Sequence, residues 1–228
     1  MTSNQSTAAI DAASAKSPGA LRHALDRIRD WFYGEAINDR ASLATFLDRN
    51  AALVAQKCAI DYCRGKAGTF SQSLFREKPF IEALTLCRWE SYAAVLADLT
   101  LIVEAKLFES ARALAAADRL KPAMAALYRQ VLHQHPVPAH RPQGWDDAVA
   151  EFEVRQAEFD PAAAPLADRI ALHSARRLFE TLPIHTNMRQ FDEEIVFGAV
   201  RFHVVAFSQR LGAQLQPEAT ARNLLGGE

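Results

Sequence analysis

A long, uninterrupted helical pattern in the middle of the chain limits the possible folds more than any other feature. Between Pro79 and Arg112 bulky apolar residues recur at alternating steps of three and four, which predicts a single helix over residues 79–112. These residues are Leu86, Trp89, Ala93, Leu96, Thr100, Val103 and Leu107. A second side of the same helix carries the small residues Ala83, Ala94, Ala97 and Ala105. A helix that is apolar on several sides is typical of the buried centre of a bundle.

The other segments also show helical periodicity, and strand patterns are almost absent. We therefore expect an all-α, single-domain bundle of about seven to eight helices around this central helix. The polar residues 1–16 are expected to form a disordered tail, followed by the bundle over residues 17–215. The proline-rich segment 134–143 is expected to be an extended linker that divides two sub-bundles. Residues 216–228 are expected to fray.

Composition and charge exclude several classes of protein. Half of the 228 residues are hydrophobic, which is enough for one large core, and the formal net charge is −1. A chain this close to neutrality has no basic field for nucleic acid, so no nucleic-acid partner is expected. No apolar run reaches the length of a membrane span, and the first residues lack the pattern of a secretory signal. The expected location is therefore the cytoplasm, and the richness in Ala and Arg is typical of a bacterial chain.

Three cysteines and three clustered histidines are the obvious candidates for metal or thiol chemistry. Cys58 and Cys63 are five residues apart, which turns them to different sides of a helix and does not match a metal-binding pair. With Cys87 they are interpreted as buried, reduced thiols. His133, His135 and His140 lie in one short stretch of the sequence and could surround a metal ion, but no Cys, Asp or Glu stands among them to complete four ligands, which favours a polar spacer. No metal and no cofactor are predicted.

Motifs of common enzymes are missing from the sequence. No Glu is followed three residues later by His, which excludes the usual di-iron bundle, and neither a Gly-x-Ser-x-Gly elbow nor a phosphate-binding glycine loop is present.

What remains is a set of polar residues inside apolar helical segments. The set consists of Arg88, Glu90, Asp98, Glu104 and His203. A buried carboxylate is costly unless it is paired or protonated, so Asp98 and His203 are expected to face each other with Glu90 or Glu104 nearby. Such a group either only fixes the packing or forms the centre of a ligand-binding or catalytic pocket. Arg88 is a further candidate ligand-binding residue.

These features favour a non-catalytic binding module that engages a protein partner or an apolar small molecule, and a homodimer is compatible with them. Two alternatives stay open at this point. One is an all-α enzyme with an acid–base pocket between the central and C-terminal helices. The other is the effector-binding domain of a regulator.

Overall fold

The computed structural model describes residues 35–226, and helices account for most of this range. The helices are α1 (Arg40–Ala67), α2 (Ser71–Leu74), α3 (Lys78–Ala113), α4 (Ala117–Leu132), α5 (Asp146–Glu158), α6 (Ala167–Ile170), α7 (Leu172–Thr181), α8 (Thr186–Arg189), α9 (Glu193–Gln214) and α10 (Pro217–Leu225). A 3₁₀ turn, Gly68–Phe70, joins α1 to α2. The described range contains no strand, only one isolated bridge between Ile37 and Leu215. The prediction of an all-α fold is confirmed.

Helix α3 is the central helix that the sequence predicts, and its bounds differ from 79–112 by one residue at each end. Pro79 lies in its first turn, where the fixed φ of proline suits the start of a helix and its missing N–H costs no hydrogen bond. From Ser91 to Glu104 every residue of α3 is buried. The helix packs against α1, α4, α7 and α10, so neighbours cover it on all sides through this stretch.

The first helix begins with a capping box and is tied to the far end of the chain. The Asp39 side chain accepts a hydrogen bond from the Ser42 N–H at 2.8 Å, which satisfies one free donor of the first turn of α1. Just before it, Ile37 donates its N–H to Gln214 and accepts the Gln216 N–H at its own carbonyl. This clamp joins the start of α1 to the junction of α9 and α10.

The C-terminal segment differs from the sequence-based expectation. Residues 217–225 do not fray but form α10, which packs on α3 and buries Ala221, Leu224 and Leu225. Pro217 occupies the beginning of the helix, and the Thr220 hydroxyl donates to the Ile37 carbonyl at 2.9 Å. Three apolar residues at helical spacing after a proline are enough for a docked helix, although the segment is short.

The proline-rich segment also differs from the expectation of a linker. Residues 37–226 belong to one compact unit, so segment 134–143 does not divide them into two sub-bundles. The expected tail over residues 1–16 and the start of the expected bundle, up to residue 34, lie outside the described residues. No helix between residues 35 and 226 is both long enough and apolar enough to cross a membrane.

The buried centre of α3 gives a direct test of the core. Leu96 has no exposed surface, so Leu96→Ala is expected to lower the free energy of unfolding by about 2–5 kcal/mol, through lost burial and the cavity left behind. Leu86 on the same helix is 36% exposed, and Leu86→Ala is the matched control with a much smaller loss. Urea titration of both variants measures the difference. Equal losses would show that this part of α3 is not the core.

Candidate functional site

Asp98 is a fully buried carboxylate of α3, with no exposed surface. One of its oxygens accepts a hydrogen bond from Arg155 Nη2 of α5 at 2.7 Å, and the other accepts the Ser174 N–H of α7 at 3.0 Å. Burial raises the pKa of Asp98, while the positive charge of Arg155 and these hydrogen bonds act in the opposite direction. The carboxylate therefore joins α3 to α5 and α7.

Glu90 lies two turns before Asp98 on α3 and holds the proline-rich segment in place. Arg141 donates to both of its oxygens, from Nε at 2.6 Å and from Nη2 at 2.7 Å, and His140 Nε2 lies 3.0 Å from the first oxygen. Burial raises the pKa of Glu90, but Arg141 and His140 outweigh it, so its pKa lies below the ordinary value. The Arg141 guanidinium also lies over the Trp145 ring, 4.6 Å from its centre. The segment is thus fastened to α3.

Glu104 is the third buried or half-buried acid of α3 and lies in the C-terminal half of the helix. It accepts a hydrogen bond from the Gln156 side chain of α5, and burial raises its pKa. Lys121 Nζ donates to the carbonyls of Gln156 and Phe159, which fixes the end of α5 beside Glu104. We call Glu90, Asp98 and Glu104 with their hydrogen-bond partners the polar seam.

The predicted pairing of Asp98 with His203 is wrong. Arg155 and Ser174 take up both oxygens of Asp98. His203 instead lies on α9 facing α1, where its charged neighbours are Lys57, Arg210 and Asp61. Burial lowers the pKa of His203, and the positive charge of Lys57 lowers it further. An uncharged, half-buried imidazole needs no carboxylate, which removes the energetic reason for the pairing.

The three histidines of the proline-rich segment do not converge on one point. His135 Nε2 lies 2.7 Å from Asp48 of α1, His140 binds Glu90 of α3, and His133 is exposed. Between residues 35 and 226 no group of three or more His, Cys, Asp or Glu side chains is arranged to hold a metal ion. His135 and His140 attach the proline-rich segment to α1 and α3, respectively.

An apolar depression with a volume of about 440 Å³ lies between α1 and α9. We call it the α1–α9 groove. Its lining consists of Lys57, Cys58, Asp61, Tyr62, Gly65, Lys66, Asp192, Ile195, Val196, Ala199 and His203. Tyr62 and Lys66 both donate to Asp192 Oδ2, at 2.8 and 2.6 Å, which links α1 to the residue before α9 at the groove. Lys57 pairs with Asp61 at 2.7 Å, so the charges at the rim are largely balanced.

Exposed apolar side chains lie near this groove, on the outer side of α9 and in the residues just before it. Phe191 is 87% exposed, Ile195 65% and Phe202 69%, and Met188 on α8 is 55% exposed. The opposite side of α9 is buried in the bundle through Val196, Val200, Val204, Phe207 and Leu211. We call Met188, Phe191, Ile195 and Phe202 the apolar strip. Several exposed apolar side chains beside a groove are typical of a binding surface.

All three cysteines are free and buried, as predicted. Burial raises the pKa of Cys58 and of Cys63 to about 12, and it also raises the pKa of Cys87. Thiols of this kind are protonated at neutral pH and are weak nucleophiles. Cys58 lines the α1–α9 groove as an apolar wall residue.

Arg88 lines a separate cleft of about 200 Å³ between α1, α3 and the proline-rich segment. We call it the Arg88 cleft, and its lining residues are Ala52, Gln56, Thr85, Arg88, Trp89, Tyr92 and His135. Four of these residues belong to α3: Arg88 and Trp89 are adjacent, and Thr85 and Tyr92 each lie three or four residues from both of them, so the four share one face of that helix. Arg88 is a candidate from the sequence and Tyr92 shares its helix face, whereas Gln56 and His135 join them only through the fold.

Removing the charge of Glu90 should release the proline-rich segment. In Glu90→Gln the amide cannot accept both Arg141 hydrogen bonds and carries no charge, so residues 133–145 are expected to exchange backbone hydrogens for deuterium markedly faster. The control is Glu82→Gln, an exposed acid of the same helix whose contact with Lys78 is 3.8 Å. Unchanged exchange in residues 133–145 would contradict the role given to Glu90.

His173 should make the fold sensitive to acid. Burial lowers the pKa of His173 from 6.5 to about 4, so the ring is neutral near pH 7 and its 3.7 Å contact with Glu151 is not an ion pair. Between these two values the unfolded chain binds a proton that the folded chain does not, so acidification through this window destabilises the fold. His173→Gln is expected to lose less stability than the wild type between about pH 7 and about pH 5.

Urea unfolding at the two pH values measures this difference, and the exposed His133→Gln is the control. Asp98 acts in the opposite direction because its pKa is raised, but it is present in all three proteins. If His173→Gln and the wild type lose the same free energy of unfolding, His173 is not held neutral by the fold.

Comparison with protein-family models, with curated proteins and with solved structures gives no match for this chain.

Proposed function

We propose that this chain is a non-catalytic binding module whose α1–α9 groove and apolar strip receive an amphipathic helix of a protein partner. The observation that carries the proposal is the continuity of the groove with the exposed side chains of the apolar strip. Ile195 belongs to both, and Phe191 and Phe202 lie on either side of it along the chain. A helix that lays its apolar face in a groove is a common mode of protein recognition.

The shape of the surface favours a helix over a small apolar ligand. Ile195 and Phe202 are two turns apart on α9, which separates them by about 10 Å along the helix axis. A small molecule confined to the groove would leave Phe191 and Phe202 in water. A partner helix lying along α9 would cover the whole strip and take its apolar area out of water.

The electrostatics of the groove support the same occupant. The rim pairs Lys57 with Asp61 and Lys66 with Asp192, and the lowered pKa of His203 keeps its ring uncharged at neutral pH. A groove with balanced charges suits an apolar helix face rather than an ionic ligand. The polar seam, in turn, uses its carboxylates to join helices, which supports a structural role for the residues that could otherwise act as acids or bases.

A site-specific crosslinking experiment tests the proposal. A photoreactive residue, p-benzoylphenylalanine, is placed at position 195 in one protein and at position 154 in another. Val154 on α5 is 62% exposed and outside the strip, which makes it the matched control for Ile195. Position 195 is expected to crosslink a partner segment with apolar residues at helical spacing, and position 154 is not.

The crosslinked segment is then synthesised, and its binding to the purified protein is measured by fluorescence anisotropy. Ile195→Glu is expected to weaken the affinity about tenfold or more while Val154→Glu leaves it unchanged. An affinity that Ile195→Glu does not alter would refute the proposal. If position 195 crosslinks to a second copy of this chain, the surface is a homodimer interface and the proposed helix partner is refuted.

A further inference from the structure

Arg88 carries a positive charge that no other described residue balances. Its side chain is half-buried, its Nε is shielded from solvent without a hydrogen-bond partner, and it makes no ion pair with residues 35–226. Arg155, Arg189 and Arg201 also have one unsatisfied buried nitrogen, but each of them donates from another nitrogen to a carboxylate or a carbonyl. Buried polar groups nearly always have a partner, so this Nε calls for an acceptor from outside the described residues.

Three aromatic rings line the same cleft as Arg88, in a fixed arrangement. Trp89 meets Tyr92 edge-to-face at 5.7 Å between ring centres, Tyr92 meets His135 edge-to-face at 5.3 Å, and Trp89 lies 5.5 Å from His135. Asp48 Oδ1 accepts the Tyr92 hydroxyl at 2.6 Å and lies 2.7 Å from His135 Nε2, which holds both rings in position. The cleft therefore offers preformed apolar ring surfaces next to a cation.

We propose that the Arg88 cleft binds a small aromatic carboxylate, with its ring against Trp89 and His135 and its carboxylate at the guanidinium of Arg88. Arginine is well suited to this role because its planar fork matches a carboxylate with two parallel hydrogen bonds. A volume of about 200 Å³ is below the usual range for drug-sized ligands, so the ligand has about one ring. The site shares no lining residue with the α1–α9 groove and goes beyond the function proposed for that groove.

The charge of the cleft selects the sign of the ligand. An aromatic cage can also hold an organic cation, but Arg88 would repel it. The carboxylate that could attract a cation, Asp48, already accepts hydrogen bonds from Tyr92 and His135. An aromatic anion satisfies the guanidinium and the rings together.

Isothermal titration calorimetry of the full chain with benzoate tests the site. Benzoate is expected to bind and to change the tryptophan fluorescence through Trp89. Acetate has the charge without the ring, benzyl alcohol the ring without the charge, and benzylammonium the opposite charge. Each of the three is expected to bind about tenfold or more weakly than benzoate.

Arg88→Met, which keeps the apolar stem and removes the charge, is expected to weaken benzoate binding about tenfold or more. Arg119→Met removes an exposed arginine from α4 and should leave the affinity unchanged. The proposal is overturned by absence of benzoate binding at about 10 mM, which corresponds to an affinity too weak for a built site. It is equally overturned if acetate, benzyl alcohol or benzylammonium binds as well as benzoate, or if Arg88→Met keeps the wild-type affinity. The comparison of ligands on the wild-type protein decides the question even if Arg88→Met does not fold.

Discussion

A carboxylate in the middle of a helix that is buried on all sides must find its hydrogen-bond partners within the protein. Asp98 is such a group. Its two oxygens need the hydrogen bonds of Arg155 and Ser174, which restricts where α5 and α7 can lie. An isolated buried charge costs several kcal/mol, whereas one that meets a guanidinium and a backbone N–H has both oxygens satisfied. Glu90 and Glu104 also need hydrogen-bond partners, which Arg141 of the proline-rich segment and Gln156 of α5 supply. The polar seam thus specifies which elements surround the central helix.

The sequence predicts the central helix well because its pattern is long and local. The bounds of α3 follow from Pro79 at one end and from the last apolar repeat at the other, and both signals depend on neighbouring residues only. The partners of its acids are a different matter. Arg141 is 51 residues from Glu90 and Arg155 is 57 from Asp98, so energetic need alone does not identify them. The sequence favours His203 as the partner of Asp98 because His203 lies on an apolar helix, but this side of α9 faces α1.

Helix α9 shows why the candidate surface could not be derived from periodicity. The sequence offers two neighbouring apolar rows on this helix, one with Ile195 and Phe202 and the other with Val196, Val200 and Phe207. Both rows have helical spacing, so the hydrophobic pattern does not say which one the bundle buries. The structure buries the second row and leaves the first in solvent. An exposed row of this size has a cost in water that a partner helix would remove.

The proline-rich segment connects the polar seam to the Arg88 cleft. Arg141 and His140 fasten it to Glu90, and the same fastening brings His135 to Asp48 as a wall of the cleft. The difference between Arg141 and Arg88 is then informative, because both are half-buried arginines close to α3 and to aromatic rings. Arg141 receives the carboxylate of Glu90, whereas the carboxylate nearest to the rings of the cleft, Asp48, serves Tyr92 and His135 instead. The fold supplies carboxylates to Arg141 and Arg155, whereas Arg88 lines an open aromatic cleft. An anionic aromatic ligand would complete this arrangement.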